Sequence, residues 1–370
     1  MRYLSLFSGI EAVTVAWHSL GFEPAAFAEI APFPSAVLAH HYPDVPNLGD
    51  VTAITENQIK NLGHIDIVVG GSPCQDLSIA GKRNGLAGER SGLFHEQIRI
   101  FNAARHFCGA RFLLWENVPG AFSTNNGRDF AVVVGTMAGC QFDVPKDGWG
   151  TEGVALGDNG LVEWAVLDAQ WFGVAQRRRR VFALLDTGDW RDRPPILLER
   201  DSLRGNSPPR RCKGTGTTAV PAPSIGNESS HPLIAMAHGQ AGAEIATDRS
   251  PSLTCNHEAP IIAYGFQPRI ARNGRGDMGE VVNALTAQAG ETGKGDAAPC
   301  VATVMQARRL TPRECERLQG FPDDYTLIPV SSAKMAADGP RYKALGNSMA
   351  VPVMRWIGQK LKQITEGNIT

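Results

Sequence analysis

"IDIVVGGSPCQDLSIAGKRNG", residues 65–85, decides the fold. Ile65 to Val69 make a short apolar run of strand length and composition, and Gly70 and Gly71 end it. A glycine-bearing turn follows, with Cys74 set between Pro73 and Gln75, a thiol displayed rather than packed. Working outward, "YLSLF" (3–7), "PAAFAE" (24–29), "RFLLWEN" (111–117) and "VFALLD" (181–186) share the strand character. Between them "IEAVTVAWHSLG" and "GLFHEQIRIFNAARHF" have helical spacing, the first stopped by Gly21. The alternation predicts an α/β fold: a doubly wound, mostly parallel sheet with helices on both faces. Ligands of such a sheet gather at the carboxyl ends of its strands.

Composition bounds the rest. The chain has 370 residues, 43% hydrophobic and 20% charged, room for one large domain and one smaller one. A formal net charge of −1 gives no global basic field, so a polyanion has to be held by local arginine clusters. The seven cysteines (74, 108, 140, 212, 255, 300 and 315) form no CxxC pair, so neither a zinc knuckle nor a disulfide framework is expected. A reducing, cytoplasmic setting without a metal fits best. Ser5, Ser8 and Glu11 break up the apolar amino terminus, and no run approaches the ~18 apolar residues of a membrane span.

The character of the chain changes near residue 200. Residues 205–300 hold 13 Gly and 9 Pro, and only Tyr264 and Phe266 are aromatic, so loops and short strands are expected there. "APSIGNESSHPLIAMAHGQ" (222–240), "SPSLTCNHEAPIIAYGFQ" (250–267) and "VNALTAQAGETGKGDAAPCVATVMQ" (282–306) share a pattern: a small-residue turn, a polar loop, Pro, an apolar run and Gln. Three such copies are about the minimum for a stacked unit. Order returns at "LTPRECERLQGFPDDY" (310–325), where Thr311 and Glu314 make a capping box, Pro312 suits the first helical position, and Gly320 and Pro322 end the helix. "YKALGNSMAVPVMRWIGQKLKQI" (342–364) reads as a turn followed by an amphipathic helix.

Chemistry-bearing residues sit where strands end. "LFSGIE" (6–11) turns at Gly9 and opens a helix. Glu29 lies 20 residues beyond, placed to accept two ribose hydroxyls, and Asp50, in "GDVT" after a third candidate strand, is placed for an adenine amino group. The three point to a nucleoside-containing cofactor and leave an NAD-like one open. Counting that strand, Cys74 follows the fourth. Glu116 and Asn117 end "RFLLWEN", and an acid behind four apolar residues should have a raised pKa and hold or give a proton. In "GVAQRRRRVFALL" (173–185), alternation puts Gln176, Arg178 and Arg180 on one face and Arg177 and Arg179 on the other. An arginine fork there suits a phosphate or a pyrimidine carbonyl, or else a solvated face.

Taken together, "FSGIE", "SPCQDLSIAGKRNGLAGERSGLF", "ENV", "QRRRR", "RRLTPRECERLQGFP" and "LGNS" resemble, in order and spacing, the DNA (cytosine-5) methyltransferases. The resemblance covers residues 1 to about 190 and about 307 to 365. It implies a Rossmann-like, S-adenosylmethionine-dependent fold. Phe7, Gly9, Ile10, Glu29, Asp50, Pro73, Asn347 and Ser348 match the cofactor positions. Cys74 matches the nucleophile, Glu116 the group on cytosine N3, and Arg178 and Arg180 the arginines near the target base. The domains implied are a catalytic one, 1–190 completed by 341–370, and a smaller one, 191–340. The smaller one carries target recognition over about 191–306 and the helix at 311–320. Double-stranded DNA is the expected partner of a monomer, with a cognate restriction endonuclease allowed but not required. DNA contacts are expected from Gln75, Ser78, Lys82, Arg83, Arg90 and Gln176, and from Arg269, Arg272, Asn273 and Arg275. An RNA methyltransferase on the same scaffold, or a DNA-binding protein without catalysis, are the rival readings. Glu11 stands where the family commonly has glycine, and Ala175 where it has proline.

Overall fold

The computed structural model describes residues 1–72, 92–198 and 310–367, and the backbone of four strands between 234 and 309. Strands β1 (Arg2–Leu6), β2 (Glu23–Ala28), β3 (Ile67–Gly70), β4 (Phe112–Asn117), β5 (Glu152–Gly157), β6 (Gly160–Asp168) and β7 (Arg179–Asp186) form one sheet. Its order is β2-β1-β3-β4-β7-β6-β5. The β2-β1-β3-β4 half is parallel, and β7 joins β4 antiparallel, followed by the β6–β5 hairpin. Helices α1 (Ala12–Trp17), α2 (Pro32–His41), α3 (Glu56–Asn61), α4 (Gly92–Cys108) and α5 (Arg128–Ala138) connect these strands. Side-chain alternation divides the core in two. Tyr3, Ile67, Val69, Phe112, Leu114, Phe182 and Leu184 face one way, while Leu4, Leu6, Val68, Leu113, Trp115, Ala183 and Leu185 face the other.

The five strands quoted from the sequence are present, shifted by a residue or two. The expected strand before Asp50 is reduced to a single bridge, Phe27 to Asn47. Pro43 and Pro46 remove ladder donors from that stretch, and β3, which runs into Cys74, is therefore the third strand rather than the fourth. The β5–β6 hairpin was not anticipated. Its signal is "GDNG", where Gly157 pairs with Gly160 around Asp158 and Asn159, and Gly160 takes φ 138°.

Beyond β7 the chain turns back over the sheet. Glu163 accepts from Ile196 N (2.8 Å), Leu197 N (2.9 Å) and Arg193 Nη1 (2.5 Å), while Arg193 Nε and Arg111 Nε both donate to Asp186, each at 2.7 Å. Two buried carboxylates thereby hold residues 193–197 on the strands they came from. Strands β8 (Ile234–Gly239), β9 (Gly242–Thr247), β10 (Ile261–Tyr264) and β11 (Gln306–Arg309) form a second sheet, order β11-β10-β8-β9. The apolar runs of the first two repeat copies are β8 and β10, and they pair antiparallel, Ile261 opposite Met236. The third copy lies outside the described residues apart from Gln306, which opens β11.

Helix α6 (Pro312–Gln319) has the expected capping box and ends at Gly320 with φ 81°. The short exposed strands β12 (Pro329–Ser331) and β13 (Lys334–Met335) follow. The turn expected at "YKALGN" is instead the end of α7 (Asp338–Asn347). Burial overrides the glycine there: Ala344, Leu345 and Gly346 are enclosed, and buried Arg341 bonds Glu316 and Thr326. Helix α8 (Val351–Thr365) packs on α1. Trp17 Nε1 donates to Met354 O at 2.6 Å, and a Cβ on Gly358 would meet the same indole at 2.5 Å. Leu310, Cys315, Leu318, Phe321 and Ile328 belong to the same core cluster as α1, α8 and one face of the sheet.

Candidate active site

The parallel half of the sheet brings its carboxyl ends to one edge, and β7, running the other way, starts there. The end of β1 turns sharply. Phe7, Gly9 and Glu11 take φ of 52°, 56° and 63°, a run that L side chains adopt at a cost. Ser8 ties the turn to β2, donating its N–H to Ala28 O and accepting from Ala28 N, both at 3.1 Å. Glu29, just past β2, accepts from Gly9 N at 2.8 Å and Ala31 N at 2.7 Å. Asp50 accepts from Thr52 N and Oγ1 at 2.9 and 2.8 Å and so shapes its own loop. A Cβ on Gly9 would find nothing within 4 Å, so the backbone there borders open space. Ile30, next to Glu29, is an apolar side chain left 71% exposed at this edge. A tight turn, two carboxylates and an uncovered apolar residue fit a nucleoside with a charged tail. Ile30 was missed in the sequence, where it looks like one more strand residue.

The second half of the site lies where β3, β4 and β7 meet. Glu116 faces Arg180, whose Nε is 3.1 Å from Oε1. Burial pushes the Glu116 carboxyl above the usual range, opposed by the charges of Arg180 and Arg178. Gly71 lies against it: a Cβ there would come within 2.7 Å of Glu116 Oε2 and 3.6 Å of Met349 Cε. Ser72 is fixed from β4, its hydroxyl accepting from Trp115 Nε1 at 3.1 Å and its carbonyl from Asn117 Nδ2 at 3.2 Å. The residue before Pro73 and Cys74 is thus anchored to the strand that carries Glu116. Gly71, Ser72 and Met349 were not singled out from the sequence, because their importance is a matter of close approach.

Alternation along the arginine run holds. Gln176 and Arg178 are buried, Arg177 and Arg179 exposed, and Arg180 lies between the two. Arg178 does not point outward. Its Nη2 donates to Ser348 O at 2.6 Å and Gly346 O at 3.0 Å, and its own N–H donates to Asp168. These hydrogen bonds fasten the α7–α8 junction to the start of β7, and its charge reaches Glu116. Gln176 is wholly enclosed, and among the described residues neither end of its amide has a hydrogen-bond partner. Ser348 is buried at that junction and Asn347 is exposed as the last residue of α7. Ile10 is buried, its carbonyl accepting from Tyr325 Oη at 2.9 Å. Pro73, Cys74, Gln75, Ser78, Lys82, Arg83 and Arg90, and likewise Arg269, Arg272, Asn273 and Arg275, lie outside the described residues. Among the described residues no cluster suits a metal ion, and no helix is long and apolar enough to cross a membrane.

Comparison with known proteins adds independent findings. The model of a family described as C-5 cytosine-specific DNA methylase matches residues 1–202 and 230–363. The chain is 33% identical over 461 aligned residues to a protein of Escherichia phage P1 named DNA N-6-adenine-methyltransferase, with 97% of this chain and 61% of that protein covered. The chain thus spans less than two thirds of that relative's length. It is 26% identical to the type II methyltransferase M2.BsuMI of Bacillus subtilis (98% and 76% covered) and 26% identical to M.MspI of a Moraxella species (97% and 70% covered). Among solved structures, a DNMT2 from Spodoptera frugiperda superposes with a TM-score of 0.58 at 17% identity, over 97% of this chain and 99% of that one. Dnmt2 of S. pombe gives 0.57 at 15%, over the full length of both. At those identities the likeness is one of fold.

Proposed function

The chain belongs to the C-5 cytosine-specific DNA methylase family, and from that membership we propose that it methylates C5 of cytosine in double-stranded DNA within a short recognition sequence. Membership makes S-adenosylmethionine the methyl donor, and the edge formed by Phe7, Gly9, Ile10, Glu29, Asp50 and Ser348 supports that choice. Ile30 and Phe7 would cover the adenine faces, Glu29 the ribose, and Asp50 the adenine amino group. The cofactor, when bound, supplies an electrophilic methyl group. What carries the reading is the Glu116–Arg180 pair against Gly71, at the end of the strand that runs into Cys74.

This chain's residues then have separate tasks. C5 of cytosine is a poor nucleophile until C6 is attacked. The Cys74 thiolate adds to C6, while Glu116, its proton held by burial, donates to N3 and makes C5 enamine-like. C5 takes the methyl and loses its own proton to water, the cysteine leaves with the electron pair of the C6–S bond, and N3 returns its proton to Glu116. Arg180 holds Glu116 and offers its remaining donors to the base carbonyl. The base must leave the duplex to reach this edge, at about a few kcal/mol of unstacking. Target recognition falls to the stretch between Leu197 and Leu310, since residues on both sides of it pack in the catalytic core. We place the enzyme in the cytoplasm as a monomer that needs no restriction partner for methylation.

Adenine N6 methylation, the activity in the phage relative's name, acts on an exocyclic amine and has no use for a thiol that adds to a ring carbon. The deciding experiment is genome-wide bisulfite sequencing after expression in a bacterium without cytosine-5 methylation. Protected cytosines within one motif are expected. Soluble protein without protection, or with adenine methylation instead, overturns the reading.

A further inference from the structure

Glu11 is the one acidic group of the first turn that the reaction does not use, and it is fully buried. It takes φ 63° as the N-cap of α1. One oxygen accepts from Ser5 Oγ at 2.8 Å, the other from Thr14 N and Oγ1, both at 3.1 Å. These partners are neutral. The other groups around it are Tyr3 of β1, Tyr42 after α2 and Tyr325 after α6, all hydroxyls. Tyr3 Oη bonds Thr14 Oγ1 at 2.6 Å, Tyr42 Oη bonds Tyr325 Oη at 3.1 Å, and His41 stacks on Tyr325. Glu29 sits on the other side of the turn, bonded to Gly9 N. Among the described residues no lysine or arginine pairs with Glu11. A buried carboxylate without a counter-ion is disfavoured, and any cation brought close relieves it. Methyl transfer changes the cofactor by one charge: the S–CH3 bond breaks with its electron pair left on sulfur, and a sulfonium becomes a thioether.

We propose that Glu11 makes the cofactor site read the charge on sulfur, favouring the methyl donor over the demethylated product. This rests on the cofactor assignment above. Donor and product share adenine, ribose, carboxylate and ammonium, so a charge beneath the turn separates them where shape does not. Uncompensated burial pushes the Glu11 carboxyl up to about 7, so near neutral pH the group is poised to lose its proton when a cation arrives. Product bearing neutral sulfur gives no such relief and leaves more readily.

Isothermal titration calorimetry on the full chain tests this, with S-adenosylmethionine, S-adenosylhomocysteine and the amine analogue sinefungin as ligands. Glu11→Gln is expected to lose about tenfold in affinity for S-adenosylmethionine and sinefungin and to hold S-adenosylhomocysteine within about twofold. Run in two buffers of different ionisation enthalpy, the wild type should release protons on binding S-adenosylmethionine and not on binding S-adenosylhomocysteine. Glu11→Gln should release none. Glu11→Gly, whose backbone suits φ 63°, repeats the test if Glu11→Gln does not fold. Equal losses for donor and product, or no loss, overturn the inference and leave Glu11 a builder of the turn. If the wild type binds none of the three, the cofactor assignment fails first.

Discussion

Gly71→Ala is the sharpest perturbation the structure offers. Gly71 follows β3 without a positive φ, so alanine is acceptable to the backbone. The added Cβ would lie 2.7 Å from Glu116 Oε2, and ordinary contact begins near 3.4 Å. The carboxylate must therefore retreat by about 0.7 Å, the difference of the two, and its 3.1 Å contact with Arg180 must re-form elsewhere. Misplacing a reacting group by about 1 Å costs on the order of a hundredfold in rate, about 2.7 kcal/mol of barrier. Single-turnover methylation of a duplex with saturating cofactor reads this directly. Trapping on a 5-fluorocytosine duplex reads attack by Cys74. The expected result is a hundredfold slower transfer with cofactor affinity close to wild type and only a small fall in melting temperature, since the Cβ also comes within 3.2 Å of the Glu116 carbonyl oxygen. Gly70→Ala is the contrast: its Cβ would meet Leu6 O at 2.9 Å, a backbone atom that cannot yield, and it should cost stability instead. A Gly71→Ala enzyme as fast as wild type would refute the placement of Glu116 in the chemistry.

Cys74→Ser should abolish both turnover and trapping while leaving cofactor affinity intact, checked by the same assays. Glu11 gives a pH signature. With its folded value near 7 against 4.5 unfolded, the folded chain holds the extra proton between those values. Stability from this group is full below the unfolded value, falls as pH rises toward 7 and is flat above it, a span of about 3 kcal/mol. Urea unfolding at acid and alkaline pH should show that span in the wild type and lose it in Glu11→Gln, and identical pH dependence would contradict it. Arg193→Leu leaves Glu163 buried without its cation and should cost about 3 kcal/mol, measured by denaturant titration. DNA affinity should fall steeply with salt, because local arginines rather than net charge have to hold the phosphates, and a flat response would contradict that footprint.

How far these residues could be read from sequence depends on what each one does. The positions of Glu116 and Glu29 at strand ends and of Arg180 at a strand start were legible because a charged residue bordering an apolar strand marks its limit. Arg178 carried the same signal, and its guanidinium also bonds the carbonyls of Gly346 and Ser348. Alternation gives a side chain's face, and what waits on that face comes from a segment 170 residues away. Gly71 and Ser72 act through closeness to Glu116 and Trp115, which no spacing rule encodes. The "YKALGN" stretch was misread because local preference favours a turn at Gly346, while the burial of Leu345 and the Arg341–Glu316 pair favour a helix. The missing strand before Asp50 was the converse: two prolines carry more weight than the neighbouring apolar residues.

Leu197 and Leu310 belong to one packed cluster, although 112 positions separate them in the chain. The stretch between them therefore leaves from and returns to a single rigid floor. Closing a flexible loop costs only about 0.6 kcal/mol more for each doubling of its length. By loop-closure entropy alone, a change of length between those two points therefore adds little to the cost of folding the first sheet. On the proposal that target recognition lies between them, replacing that stretch is expected to change the target while the strands of the first sheet stay as they are.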